Sequence, residues 1–195
     1  YDNEFKGLIT LTQALRESRN IPAVRVSEAV GRDLVKQVAT DFGLAQNFAD
    51  GPALALGVSE STLIDMTGAF AGILNGGSSV TPYGFEALTL KGMDEPLFGA
   101  GGGIGERVIS EKAAHALTYM MTEVLNSGTG GRARLDDREA AGKTGTTQSA
   151  RDAWFVGFTA DYVVGVWMGY DDNSPLTDVT GGGLPAEIWH EVMVR

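Results

Sequence analysis

The stretch from Ala153 to Tyr170 restricts the fold more than any other part of the chain. It holds two runs rich in β-branched and aromatic residues, Ala153 to Thr159 and Tyr162 to Tyr170, parted only by Ala160-Asp161. Two such runs with so short a gap predict a hairpin. In the first run Trp154, Val156 and Phe158 alternate with Phe155 and Gly157, so large apolar side chains project from both faces. A strand of that kind needs cover on both faces, which predicts a central strand with helices on either side. The run Ala141-Gly142-Lys143-Thr144-Gly145-Thr146-Thr147, dense in β-branched threonine, predicts a third strand.

Helical periodicity dominates the first half. Thr10-Leu11-Thr12-Gln13 fits a capping box, after which Leu11, Ala14 and Leu15 share one face. Asn20 and Pro22 are expected to end that helix, leaving Ser18 and Asn20 at or just past its C-terminus. Further helices are expected from Ala23 to Val30, and from Leu34 to Phe42 with Gly43 as its stop. Another begins near Ser59, with Leu63, Met66, Phe70 and Leu74 in register, and halts at Asn75-Gly76-Gly77. Between Ser78 and Val108 glycine, proline and short apolar runs predict a small hairpin around Lys91-Gly92 and a loose loop from Gly99 through Ala100 to Gly103. Ser110 caps a helix carrying Ala114, Leu117, Met121 and Leu125, which Gly128 ends, and Pro185 opens a last short one with Ile188, Trp189 and Val192. Helices first and a hairpin sheet late give an α+β fold, helices packed on an antiparallel sheet. The 195 residues suit a single domain, and no internal repeat divides them.

Charge and composition exclude several functions. A formal net charge of −10 argues against nucleic acid as a partner. Cysteine is absent, so disulfides and thiolate metal sites are impossible. No apolar run approaches a membrane span. The opening Tyr1-Asp2-Asn3-Glu4 carries no initiator methionine, so the chain is expected to be cut from something longer.

Short motifs narrow the chemistry further. Gly142-Lys143-Thr144 ends like a phosphate-binding loop, but Asp137 stands where that loop needs glycine. The glycines from Gly99 to Gly105 miss the dinucleotide pattern, because Glu106 takes the last glycine position counted from Gly101. His190-Glu191 starts a zinc-protease signature that Val194 breaks, and with only His115 besides, no metal is expected. Asp171-Asp172-Asn173 lacks the glycine of a calcium loop and reads as a turn. Lys143 therefore remains as the candidate centre.

Two tripeptides match elements of the penicillin-interacting serine enzymes: Ser18-Arg19-Asn20 fits S-x-N, and Lys143-Thr144-Gly145 fits K-T-G. Their order is right, one at a helix end and one in a strand. Together with "ALALGVSESTLIDMTGAFAGILNGG", "LNSGTGGRARL" and "GKTGTTQSARDAWFVGFTADYVVGVWMGYDD", they make essentially the whole chain resemble the transpeptidase domain of class A penicillin-binding proteins, the bifunctional enzymes that build peptidoglycan.

The resemblance implies roles for particular residues. Lys143 would offer its charge to the terminal carboxylate of a stem peptide or of a β-lactam, with the Thr144 and Thr146 hydroxyls binding the same group. The Thr146 N–H would be one donor of an oxyanion hole. Ser18 would relay a proton between the leaving nitrogen and catalytic lysines, and Asn20 would hydrogen-bond the substrate's amide. Gly145 has a reason of its own, since a side chain there would block a substrate lying along the strand. Strand alternation puts Lys143, Gly145 and Thr147 on one face and Thr144 and Thr146 on the other, so one cleft for all of them requires twist or bending. No cofactor is implied.

One family element is missing. The nucleophile belongs to S-x-x-K, and no serine of this chain, Ser18 included, has a lysine three residues on. The chain is therefore expected to be the C-terminal portion of the domain across residues 1–195, incomplete at its N-terminus and inactive alone. Its partners would be stem peptide, β-lactams and the missing upstream segment, in the bacterial envelope outside the cytoplasmic membrane, with an anchor only in the full-length protein. A carboxypeptidase or β-lactamase relative, or a non-catalytic binding module, are the alternatives.

Overall fold

A computed structural model describes residues 6–44, 47–99 and 101–195. Thr10 caps α1 (Leu11–Arg16) by accepting the Gln13 N–H at 3.1 Å. The reciprocal half of the expected capping box is not made: the Gln13 amide instead donates 2.9 Å forward to Glu17 Oε1. Ala14 and Leu15 turn inward, whereas Leu11 stays 59% exposed. The chain then reverses and starts α2 (Asn20–Val30), so Asn20 opens this second helix instead of trailing the first. Pro22 does not end a helix either. It lies in the first turn of α2, where backbone N–H groups have no helical partner and a missing one costs nothing.

Two more helices follow, α3 (Arg32–Asp41) and α4 (Leu63–Leu74). Thr62 rather than Ser59 caps α4, accepting from the Asp65 N–H, and the Ser59 hydroxyl is already used by the Ala49 N–H at 3.0 Å. The stretch expected to be mostly loop holds four strands: β1 (Ser78–Thr81), β2 (Ala87–Leu88), β3 (Phe98–Gly99) and β4 (Gly103–Arg107). β2 and β3 form the hairpin expected around Lys91-Gly92. β1 and β4 pair antiparallel through Val80↔Ile104, so the ends of the expected loop, Gly99 and Gly103, are strand residues, while Gly101 and Gly102 carry no regular structure. Glycine-rich β4 has little strand propensity of its own, and its state is set by β1 beside it. Ala100, part of the expected loop, lies outside the described residues.

Ser110 caps α5 (Glu111–Ser127) as expected, and Ala114, Met121 and Leu125 are buried on its inner face. Then come β5 (Ala141–Thr146), β6 (Asp152–Phe158) and β7 (Val163–Gly169), an antiparallel sheet with β6 in the middle, and finally α6 (Leu184–Met193). β6 is covered on both faces. Phe155, fully buried, meets Trp189 of α6 edge-on at 5.4 Å, within a cluster that includes Val124, Leu125 and Met193. Phe158 projects the other way into Met121 of α5 and Phe70, Ile73 and Leu74 of α4. The Trp189 indole N–H donates to the Gly157 and Val164 carbonyls at 3.2 and 3.1 Å, so this ring is buried with its one polar atom satisfied. Ile188 and Val192 of α6 are exposed, and its inner face is made by Ala186, Trp189 and Met193. No helix among the described residues is long and apolar enough to cross a membrane.

Candidate active site

The site begins at the reversal between α1 and α2. The Arg19 N–H donates to the Ala14 carbonyl at 2.9 Å and the Ser18 N–H to the Leu15 carbonyl at 3.0 Å. This pair of bonds is a Schellman ending, whose left-handed position is usually glycine. Here Ser18 occupies it, with φ +54°. A β-carbon in that region costs ~1–2 kcal/mol, and such strain is kept where a side chain is needed. The Ser18 side chain has such a use: its Oγ accepts from Lys143 Nζ at 2.7 Å.

Lys143 reaches that hydroxyl from β5. Its ammonium also donates to the Thr144 carbonyl at 2.8 Å, so two of its three protons are engaged. Burial pushes its pKa down from 10.5 to about 8. A lysine so tuned is still mostly charged at neutral pH and stands close to proton exchange with the serine it touches. The S-x-N and K-T-G elements, 125 residues apart in sequence, thus meet in space. Ser18 and Asn20 are both exposed.

The threonines face the other way, as strand alternation requires. Thr144 Oγ1 lies 2.8 Å from Thr129 Oγ1, in the loop after α5. Thr146 Oγ1 accepts the Gly181 N–H at 3.0 Å, which leaves its own proton free to donate. Gly181 lies flat behind the strand: a β-carbon there would run into the carbonyl oxygens of Trp154 and Gly145. At Gly145 a β-carbon would approach Trp154 Cβ to 3.3 Å, so the tryptophan supplies a second reason for glycine there. β5 is an edge strand, its second side unpaired by any described strand.

Sequence reasoning missed Thr129, Gly181 and Glu17. The first two lie in the glycine-rich stretches 128–131 and 181–183, which signal a close backbone approach without saying to what. Glu17, directly before Ser18, accepts from Gln13, Arg16 and Arg19, and nothing in its sequence context marks it.

Comparison with known proteins gives the family. The penicillin binding protein transpeptidase domain family matches residues 1–194. Penicillin-binding protein 1A of Aquifex aeolicus is 34% identical over 197 residues, covering 99% of this chain and 26% of that protein. The same-named protein of Rickettsia typhi is 32% identical over 215 residues, covering 99% of this chain and 27% of its own length. The chain thus spans about a quarter of the length of the curated relatives it matches. The crystal structure of penicillin-binding protein 1A from Haemophilus influenzae superposes with a TM-score of 0.84 at 27% identity, over 98% of this chain and 35% of that one. Its helices on antiparallel sheets are those of the penicillin-binding, β-lactamase-like fold, and the chain belongs to the family of penicillin-binding protein transpeptidase domains.

Proposed function

We propose that this chain supplies two walls of a D,D-transpeptidase active site, which cross-links peptidoglycan stem peptides by acyl transfer in the bacterial envelope, outside the cytoplasmic membrane, and takes up β-lactams at the same place. The observation that carries the reading is the 2.7 Å bond from Lys143 Nζ to Ser18 Oγ, because it brings the two motifs together. Ser18 accepts from Lys143 and so keeps its own proton for the leaving nitrogen. Lys143 holds its charge toward the substrate's terminal carboxylate, a charge-assisted bond worth ~1.5–3 kcal/mol. At the open edge of β5, which both faces of the strand border, Thr146, whose lone pair already receives the Gly181 N–H, donates its hydroxyl proton to the same group. Thr144 can do so when Thr129 donates to it. Asn20 binds the substrate's amide from the start of α2. The open edge of β5 accepts the stem peptide as an added strand, with the Thr146 N–H in the oxyanion hole and no side chain at Gly145 to obstruct it.

The nucleophile comes from an S-x-x-K segment that these 195 residues do not contain. The test joins the chain to such a segment from a relative and follows acylation by a fluorescent penicillin through intact mass. The joined protein takes up one equivalent, the chain alone takes up none, and Lys143→Ala slows acylation by ~10–100-fold, the rate equivalent of the lost bond. An adduct on any serine of the chain alone, or an unchanged rate for Lys143→Ala, overturns the reading.

A further inference from the structure

We propose that Glu17 is a positioning residue that holds Ser18 against Lys143. It sits directly before Ser18, at the end of α1, and its carboxylate collects three donors. Gln13 Nε2 reaches Oε1 at 2.9 Å from one turn back in α1, and Arg16 Nη2 reaches the same oxygen at 3.3 Å. Arg19 Nε reaches Oε2 at 2.9 Å from the far side of the reversal. One side chain thus ties the last turn of α1 to the residue that leads into α2, and the residue bracketed between them is Ser18, at φ +54°. A serine left to itself leaves that conformation readily. Bridging the residues on either side of it is a direct way to prevent this.

The cluster also reaches the second wall. The Arg16 carbonyl accepts the Thr129 N–H at 3.2 Å, and Arg16 Nη1 donates to Ser127 Oγ at 3.4 Å. Thr129 is the residue whose hydroxyl meets Thr144, next to Lys143 in β5. The reversal carrying Ser18 and the strand carrying Lys143 are therefore referenced to the same loop. The Gln13 and Arg19 bonds, with help from Arg16, hold the Glu17 carboxyl at about 2, so the clamp stays charged at neutral and mildly acidic pH.

The inference rests on the reading of Ser18 as a working group of the site, and its test therefore reads the Ser18–Lys143 contact and not turnover. The chain is labelled with 15N-lysine and the Lys143 Nζ resonance is assigned by its loss in Lys143→Arg. Glu17→Ala is expected to move that resonance to the position it takes in Ser18→Ala, and Glu17→Gln, which keeps an acceptor but not the charge, to move it part of the way. In the Ser18→Ala background Glu17→Ala should move it no further. Amide exchange at Ser18 and Arg19 should speed up at least tenfold in Glu17→Ala, while amides of the buried strand β6 keep their wild-type rates. An unmoved Lys143 resonance in a folded Glu17 variant overturns the proposal. So does an equal further shift in the Ser18→Ala background, which would mean that Glu17 acts on the lysine by another route. Should Glu17→Ala fail to fold, Glu17→Gln decides by the same two criteria. Failure of the acylation test leaves these outcomes untouched, so the two readings fall separately.

Discussion

Ser18 combines an unfavourable backbone with a side chain that has work to do. Its hydroxyl meets Lys143 only because the chain turns through the left-handed region at that residue. The energetics separate cleanly in two variants that both lose the hydroxyl. Ser18→Ala keeps the β-carbon in the left-handed region, while Ser18→Gly removes it. The glycine variant is expected to be more stable than the alanine variant by about 1 kcal/mol, the relief of backbone strain less the extra entropy of an unfolded glycine. Urea unfolding of the two variants measures this, and equal midpoints would mean that Ser18 does not occupy φ +54°.

Among the elements, β5 owes its geometry to what lies behind it. The segment at Gly181 passes so close to Gly145 and Trp154 that backbone touches backbone, and its N–H fixes the Thr146 hydroxyl. Gly181→Ala is expected to destabilise the chain by ~1–3 kcal/mol, because the added carbon meets backbone atoms that cannot rotate aside. It should also release Thr146, seen as loss of protection at the Gly181 amide. Gly131→Ala is the comparison: there the new carbon would meet only the Leu125 carbonyl at 3.9 Å, ordinary contact. Thermal melts of the two should differ by several degrees, and similar losses at both sites would show that the strand yields. The elements themselves were legible to unequal degrees. β6 and β7 stood out because apolar residues on both faces repeat at the strand period, whereas β4 did not, since Gly103 and Gly105 interrupt any pattern.

For the molecule as a whole, the buried lysine sets a pH dependence of stability. In the unfolded chain Lys143 binds its proton up to pH 10.5, and in the folded chain only up to about 8. Between those values the unfolded state holds more protons, so stability rises with pH across that window and is flat, on account of this group, on either side. The full rise is roughly 3 kcal/mol for a shift of this order. Glu17 acts at the other end. Its carboxyl is held at about 2 against an ordinary 4.5, so its contribution is complete above pH 4.5 and disappears as pH falls to 2. Melting temperature against pH should therefore climb between 8 and 10.5 in the wild type and stay level there in Lys143→Met. A climb of the same size in both proteins would assign it to other groups.

Local pattern alone determined that this chain builds helices over an antiparallel sheet and that β6 is central, and the resemblance carried by two tripeptides pointed to Lys143 and Ser18. Those are properties of neighbours in sequence: a period of two or 3.6, a cap, a tripeptide. What the tertiary structure decided is which atoms face each other. It showed that Asn20 opens a helix, that the Thr144 and Thr146 hydroxyls are held by Thr129 and Gly181, and that Ser18 lies 2.7 Å from a lysine 125 residues away. Contacts across such separations depend on how whole elements pack, and a strand's periodicity carries no record of the loop that lies behind it.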